Sequence, residues 1–291
     1  MTHARTLRQL LDHRKDALIV PGAGTPIEAL AIERAGFEAI YLSGYAIAAW
    51  RHGLPDIGLL GASELMDALG AIRRVSNLPV IVDADTGYGD VTSVYANVRL
   101  LEAAGAAAIQ IEDQVWPKKC GHMVGKAVID ADEAVRKVAT ALDARLDPDT
   151  VIIARTDALG PEGIDEALAR AVRFAEIGAD VVFVDAPGSR EELARIGTTV
   201  SALLMANVSE GGRTPTLPAS DFHELGFDLV IYPTTPLRLA AKTMQDFFTD
   251  LRRDGDSLTW RERMYGLDEL NDLVNLEEYL VVGDRENARH V

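Results

Sequence analysis

The chain of 291 residues carries a formal net charge of −16, which argues against binding to nucleic acid or to an anionic membrane surface. No apolar run approaches the roughly 20 residues needed to cross a bilayer, and the N-terminal segment lacks the apolar core of a secretory signal. One cysteine cannot form a disulfide within the chain. These features predict a cytoplasmic globular protein, and an anionic ligand would need a metal or local cations to offset the charge.

Eight short apolar runs recur along the chain, each followed by Gly, Asp or Pro and then by a helix-like pattern. They lie at residues 17–21, 39–42, 79–83, 107–111, 151–154, 181–184, 203–206 and 229–231. Because the runs are nearly continuous, they are typical of strands buried on both faces of a parallel sheet. Helices are predicted between them, at 26–35, 63–75, 91–104, 131–146, 164–177 and 190–196. Several of these units place a glycine between helix and strand, as expected for a left-handed cap.

Eight β/α units predict an α/β fold of the (β/α)8 TIM-barrel type, with a doubly wound open sheet as the alternative. Two further amphipathic patterns follow the last strand, at 237–250 and 260–280. The barrel is already closed before this tail begins, so we expect its apolar faces to pack on another surface. We therefore divide the chain into a barrel over residues 1–240, with a loop at 115–126, and a helical tail of the same domain over 241–291.

In a barrel the carboxyl ends of the strands form the active face, and here those ends are rich in acids. Five carboxylates are predicted to converge there, namely Asp83, Asp85, Glu112, Asp113 and Asp185. Buried acids are unfavourable unless they are paired or bind a metal, and oxygen ligands favour Mg2+ or Mn2+. The sequence therefore predicts a divalent cation at this rim.

The loop at 115–126 holds the only cysteine, Cys120, beside Lys118, Lys119 and His122. Neighbouring positive charge favours a thiolate, so we expect Cys120 to have a lowered pKa. Gly121 and Gly125 allow the loop to bend. His122 is predicted either to act as an acid or base or to orient the loop.

Four motifs resemble the isocitrate lyase/phosphoenolpyruvate mutase superfamily, and together they extend the resemblance over most of the chain. They are Asp-Ala-Asp-Thr-Gly-Tyr-Gly (83–89), Ile-Glu-Asp-Gln (111–114), Lys-Lys-Cys-Gly-His (118–122) and Ala-Arg-Thr-Asp-Ala (154–158). The cysteine motif is the most specific, and it marks the carbon–carbon lyase branch. That branch includes 2,3-dimethylmalate lyase, 2-methylisocitrate lyase and petal-death-like proteins.

The resemblance implies a barrel whose final helix is swapped between subunits, in a homotetramer built as a dimer of dimers. It implies Mg2+ near Asp83, Asp85 and Glu112, and a cysteine loop that closes over the site as a lid. The residues predicted to contact substrate are Tyr41, Ser43, Gly44, Tyr45, Gly121, Arg155, Asn207 and Arg238. The predicted catalytic residues are Cys120, His122, Glu112 and Arg155.

The implied reaction is Mg2+-dependent cleavage of the C2–C3 bond of a 2-hydroxy- or 2-keto-dicarboxylate. Cys120 would protonate the leaving carbanion, whereas Glu112, Tyr41 and a metal-bound hydroxide are all open as the base. The leading substrates are 2,3-dimethylmalate and 2-methylisocitrate, and the main alternative is hydrolysis of oxaloacetate to oxalate and acetate. Cleavage of a phosphorus–carbon bond and a non-catalytic barrel are further alternatives.

Two departures from the family pattern bear on the substrate. Asp185 stands where many relatives carry Glu, and Tyr45 stands where methylisocitrate lyases commonly have a small residue. The second departure favours a substrate smaller than methylisocitrate.

Overall fold

Eight parallel strands close into a barrel in the computed structural model, which describes residues 2–12 and 14–289, with side chains up to residue 282. The strands are β1 (Leu18–Ala23), β2 (Ile40–Leu42), β3 (Val80–Asp83), β4 (Ala108–Glu112), β5 (Val151–Thr156), β6 (Val181–Val184), β7 (Leu203–Asn207) and β8 (Leu229–Tyr232). They pair in sequence order, and β8 pairs with β1 to close the ring. The predicted (β/α)8 barrel is therefore confirmed, and the open sheet is wrong.

Helices surround the strands at nearly the predicted positions. They are α1 (His3–Asp12), α2 (Pro26–Arg34), α3 (Gly44–Ala46), α4 (Ala62–Arg73), α5 (Val91–Ala103), α6 (Ala131–Ala144), α7 (Leu159–Glu162), α8 (Ile164–Glu176), α9 (Arg190–Thr199), α10 (Ala219–Glu224), α11 (Thr235–Asp254), α12 (Leu267–Leu273) and α13 (Leu276–Arg289). A π-helical turn, Ile47–Arg51, follows α3, and a 3-10 helix, Leu258–Arg263, follows α11. Among the described residues, no helix is both long and apolar enough to cross a membrane.

Two apolar layers explain the fold. One layer fills the barrel interior with side chains such as Tyr41, Ile153, Phe183 and Ile231, all of which are buried. The other packs the outer strand faces against the helices. Because alternate residues of a strand point to opposite faces, both layers draw on the same short runs. The inner layer stops below the carboxyl ends of the strands, where polar side chains replace it.

The tail differs from the prediction of one helix over 260–280. Gly266 precedes α12, and Asn275 adopts a left-handed conformation with φ of 57° between α12 and α13. Trp260 is buried against Phe247, whereas Tyr279 and Leu280 on α13 are 73% and 58% exposed. The tail thus presents apolar side chains that the described chain does not cover.

Candidate active site

A cavity of about 260 Å³ opens at the carboxyl ends of the strands, above the apolar layer that fills the barrel. Its wall contains most of the predicted site residues, namely Tyr41, Ser43, Tyr45, Asp83, Cys120, Gly121, His122, Arg155, Asn207 and Arg238. The other predicted residues lie just outside it. Gly44 and Asp85 line a small adjoining recess, and Glu112 is buried behind the wall, with Oε2 lying 3.3 Å from Arg155.

The turn after β3 holds the first two acids of the rim. The carboxylate of Asp83 accepts a hydrogen bond from the backbone N–H of Asp85 at 3.3 Å, and Asp85 has a φ of 46°. Such a conformation is unfavourable for a residue with a side chain, and it occurs mainly where function or local hydrogen bonding requires it. The turn therefore fixes both carboxylates near the carboxyl end of β3.

Glu112 Oε1 is buried at this rim and makes no hydrogen bond, while Asp85 Oδ1 lies 2.8 Å from the ammonium of Lys118 without the geometry of a hydrogen bond. Burial raises the pKa of Asp85 to about 7 and raises that of Glu112 well above its usual range. Unsatisfied buried carboxylate oxygens are costly, and a bound cation would satisfy them. The donors are hard oxygens, so they fit Mg2+ or Mn2+.

Within the described part of the chain, no three His, Cys, Asp or Glu side chains lie close enough to hold a metal by themselves. That arrangement still fits Mg2+, which commonly keeps several waters and binds one or two carboxylates together with substrate oxygens. The candidate ligands are Asp83, Asp85 and Glu112, of which one or two would bind the ion directly.

Lys118 contacts the acids and does not sit beside the thiol. Its ammonium lies 2.5 Å from Asp56 and 2.8 Å from Asp85, although the second contact lacks the geometry of a hydrogen bond. Burial alone would lower the pKa of Lys118, but Asp85 and Asp56 outweigh it and raise that pKa well above its usual range. Lys118 therefore joins the 115–126 loop to the acidic rim.

The expectation of a lowered pKa for Cys120 is wrong. Burial is the largest effect, and it raises the pKa of the thiol. The nearby carboxylates of Asp56 and Asp185 act in the same direction and outweigh Arg155. Cys120 is therefore a neutral thiol at physiological pH, which is the form that can donate a proton.

Beneath the loop lies a buried cluster of two cations and two acids. Arg155 contacts Asp157 at 2.8 Å and Asp185 at 3.2 Å, while Lys126 contacts the same two acids at 2.7 and 3.5 Å. Burial would raise the pKa of Asp185, but Arg155 and Lys126 hold it well below its usual range. Glu112 also contacts Arg155, so the cluster links β4, β5, β6 and the loop.

Gly121 packs directly on this cluster. A Cβ at this position would overlap Asp185 Oδ2 and would lie 2.5 Å from Arg155 Nη2. The 115–126 loop is therefore seated over the barrel end, and only a glycine permits so close an approach at residue 121. From here we call residues 115–126 the lid.

His122 is held by the loop that follows β7. Its Nδ1 accepts a hydrogen bond from the backbone N–H of Arg213 at 3.2 Å, and its Nε2 lies 3.3 Å from Asn207 Nδ2. Burial lowers the pKa of His122, so the ring is neutral at pH 7. The ring is therefore held between the loop after β7 and the amide of Asn207 on the cavity wall.

Asp113 does not belong to the rim, contrary to the sequence interpretation. Its carboxylate accepts hydrogen bonds from the Thr156 hydroxyl at 2.7 Å, the Asp157 N–H at 2.8 Å and Arg170 at 3.2 Å. Successive residues of β4 point to opposite sides, so Glu112 faces inward and Asp113 faces the helices. Asp113 is a structural residue, and burial raises its pKa to about 6.

Tyr41 is disfavoured as the base that the sequence left open. Its hydroxyl is buried and donates a hydrogen bond to Gln110 Oε1 at 3.0 Å. Burial and the charge of Asp83 raise its pKa well above its usual range, so the phenolate is strongly disfavoured. Tyr41 forms part of the cavity floor.

Arg238 lies at the cavity mouth, half exposed, and contacts Glu210 at 3.3 Å. Thr235 donates to the same carboxylate, with its hydroxyl 2.9 Å from each oxygen. Tyr45 is also partly exposed at the mouth. These residues form the outer edge of the cavity, whereas Arg155 lies at its base.

Gln110 and Lys126 are buried residues of the site that sequence reasoning did not assign. Gln110 carried a usable signal, because it lies two residues before Glu112 and so shares its strand face within an apolar run. Nothing in the sequence marks Lys126 as buried, because a lysine after a glycine-containing loop is ordinarily exposed.

Comparison with protein families matches residues 7–252 to the family described as phosphoenolpyruvate phosphomutase. The chain is 43% identical over 278 residues to 2,3-dimethylmalate lyase of Eubacterium barkeri, covering 96% of each protein. It is 44% identical over 273 residues to 2-methylisocitrate lyase of Aeropyrum pernix, covering 94% of this chain and 87% of that protein.

Solved structures of the same superfamily superpose closely on this chain. A crystal structure of 2,3-dimethylmalate lyase superposes with a TM-score of 0.92 at 33% identity, over 98% of this chain and 96% of that one. Oxaloacetate acetylhydrolase bound to 3,3-difluorooxalacetate gives 0.92 at 28% identity, over 98% and 97%. Phosphonopyruvate hydrolase in complex with oxalate and Mg2+ gives 0.88 at 30% identity, over 98% and 99%. With these matches and the lid cysteine, the chain belongs to the phosphoenolpyruvate mutase/isocitrate lyase superfamily, in its carbon–carbon lyase branch.

Proposed function

We propose that the protein is a Mg2+-dependent lyase that cleaves the C2–C3 bond of a 2-alkylmalate or related dicarboxylate. The leading substrate is 2,3-dimethylmalate, giving pyruvate and propionate, with 2-methylisocitrate next. The observation that carries the proposal is the neutral thiol of Cys120 in the wall of a cavity that also holds Arg155 and Asp83. Similarity to dimethylmalate and methylisocitrate lyases supports the same reaction class.

One or two of Asp83, Asp85 and Glu112 would hold Mg2+, which would supply a Lewis acid that polarises the substrate and lowers the pKa of its hydroxyl. Arg155 and Asn207 lie on the cavity wall and bind substrate carboxylates. The C2 hydroxyl loses its proton, the C2–O bond becomes a carbonyl, and the C2–C3 bond breaks. Its electron pair passes to C3 and is delocalised into the adjoining carboxylate, as in a retro-Claisen cleavage.

Cys120 then transfers its thiol proton to C3, which completes propionate, and the thiolate recovers a proton before the next turnover. A raised pKa suits this role, because the thiol stays protonated until the carbanion forms. Of the side chains considered as the base, Tyr41 is disfavoured, because its buried hydroxyl donates to Gln110. Closure of the lid excludes water from the carbanion.

A Mg2+-supplemented assay over malates, citrates and oxaloacetate, with detection of keto acids and oxalate, tests the proposal. We expect pyruvate from 2,3-dimethylmalate, loss of activity with a chelator and recovery with added Mg2+. Cys120→Ser should lower kcat by at least about 100-fold, since general acid catalysis contributes roughly 10²–10⁴. A serine variant with the kcat of the native chain would contradict the assigned acid.

Hydrolysis of oxaloacetate is the second candidate, favoured by the similarity to oxaloacetate acetylhydrolase. Oxalate formed from oxaloacetate, without keto acid from any malate, would establish it. Phosphate release from phosphonopyruvate would instead establish phosphorus–carbon chemistry, and binding of Mg2+ without turnover would indicate a non-catalytic barrel.

We also propose a cytoplasmic homotetramer, a dimer of dimers in which α13 packs on a neighbouring subunit. The exposed Tyr279 and Leu280 on α13 support this assignment. Light scattering after gel filtration should give a tetramer for the full chain and a smaller species after removal of residues 255–291. A monomeric full chain would contradict it.

A further inference from the structure

Gln110 is a fully buried amide in the middle of β4, with relative exposure of 0%. It faces the barrel interior, between the apolar layer and the acidic rim. Its Oε1 accepts from the Tyr41 hydroxyl at 3.0 Å, and its Nε2 donates to Asp83 Oδ1 at 3.1 Å. The amide therefore connects a floor residue of the cavity to one of the acids of the rim.

The orientation of this amide follows from its neighbours. A reversed amide would place Oε1 against Asp83 Oδ1, which already accepts from the N–H of Asp85, and two acceptors at that distance repel each other. The Tyr41 hydroxyl can donate or accept, so it does not fix the orientation, whereas Asp83 Oδ1 does. Gln110 consequently donates to Asp83, and the Tyr41 hydroxyl donates to Gln110.

This arrangement leaves the two oxygens of Asp83 with different surroundings. Oδ1 receives both Gln110 Nε2 and the backbone N–H of Asp85, at 3.1 and 3.3 Å. Oδ2 lies on the side of Gly44, where a Cβ would be 3.7 Å away, and Asp83 lines the cavity. The donors to Oδ1 thus hold the carboxylate with its other oxygen free to face the cavity.

We infer that Gln110 is a positioning residue that sets the Asp83 carboxylate for a divalent cation and holds the Tyr41 hydroxyl away from substrate. Gln110 does not line the cavity, and it acts through Tyr41 and Asp83, the two residues that its amide contacts. Groups that orient a metal-binding side chain in this way typically change metal affinity or activity 10–100-fold when they are removed. This inference rests on the proposed function, since it assumes that Asp83 binds Mg2+.

Calorimetric titration of Mg2+ into the full-length chain without substrate tests the role directly. Gln110→Met keeps the volume and removes both hydrogen bonds, so we expect the dissociation constant for Mg2+ to rise at least about 10-fold. Gln110→Asn, which withdraws the amide by one methylene, is a second disruptive variant if the first does not fold. Gln110→His retains one donor and one acceptor across its ring and should recover most of the affinity.

Gln245→Met, at an exposed position of α11, controls for the substitution itself and should leave the dissociation constant within twofold. Folded Gln110→Met or Gln110→Asn protein that binds Mg2+ within twofold of the native chain would overturn the inference. A His variant no better than the Met variant would also overturn it. Failure of the native chain to bind Mg2+ would overturn both the inference and the metal requirement, whereas Mg2+ binding without cleavage of any malate would overturn the proposed reaction alone.

Discussion

Replacing Gly121 with alanine tests whether the seated lid is the active state. The new methyl group would overlap Asp185 Oδ2 and would lie 2.5 Å from Arg155 Nη2. Neither neighbour can yield easily. Asp185 has an exposure of 0% and is held by Arg155 and Lys126, so displacing it would break two buried ion pairs.

In Gly121→Ala the lid must therefore shift away from Asp185 and Arg155, and Cys120 shifts with it. A displacement of about 1 Å at a catalytic group can lower the rate about 100-fold. That factor corresponds to about 2.7 kcal/mol in the activation free energy. Global stability should change little, because φ of Gly121 lies outside the left-handed region and alanine can adopt it. We therefore expect a loss of kcat with an almost unchanged melting temperature.

Steady-state kinetics on the best substrate of the panel, together with thermal unfolding, measures both quantities. Gly125→Ala is the matched control on the same lid, because its φ of 74° strains the backbone while its Cβ meets only Lys119 Nζ at 3.2 Å. That strain is about 1–2 kcal/mol, so this variant should lose about 5- to 30-fold at most. Gly121→Ala with more than half of the native kcat/KM, or with a loss no larger than that of Gly125→Ala, would refute the reasoning.

Two other substitutions separate structural from functional charges. Lys126→Met leaves Arg155 as the one cation in contact with both Asp157 and Asp185, so it should lower the free energy of unfolding in urea by about 3–5 kcal/mol. Lys119→Met is the control, because it loses only the hydrogen bond to the Gly125 carbonyl and should leave the free energy of unfolding nearly unchanged. Asp113→Asn should leave the Mg2+ affinity within twofold of the native value. A larger change would contradict the structural role of Asp113 and indicate that it belongs to the metal-binding rim. Because the pKa of Asp113 is raised to about 6 in the folded state, its proton-linked stabilisation is complete below about pH 3.9 and is lost as pH rises through 6. The stability of the native chain relative to Asp113→Asn should therefore fall by about 3 kcal/mol between pH 4 and pH 7, and a pH-independent difference would contradict the assignment.

The barrel could be predicted because its strands are buried on both faces and therefore read as continuous apolar runs. All eight runs became strands, with ends displaced by no more than about two residues, as is usual for such boundaries. The tail was harder, because 260–280 has helical spacing throughout. Its breaks depend on Gly266 and on the left-handed Asn275, whose conformation is not evident from apolar periodicity.

The site was predictable where strand position decides it and unpredictable where burial decides it. Asp83 and Glu112 lie at strand ends, and their places follow from topology. The same alternation that turns Glu112 inward turns Asp113 outward, so that error could have been avoided from the sequence. The raised pKa of Cys120 could not be predicted from the sequence. The sequence places Cys120 near lysines, whereas the fold buries the thiol and directs Lys118 to Asp56 and Asp85.

The distribution of charge around the cavity predicts an order for cation binding, substrate binding and closure of the lid. Carboxylates outnumber cations at the barrel end, and two of the cations, Lys118 and Lys126, belong to the lid rather than to the strands. Arg155 is therefore the main positive group that the strands themselves supply at the base of the cavity. A rim of that kind attracts a divalent cation and repels a dicarboxylate, in line with the overall charge of −16. On the proposed function, we expect the cation to bind first, because it reduces the negative charge that repels the substrate, and the lid with its two lysines to close last, after the dicarboxylate has bound.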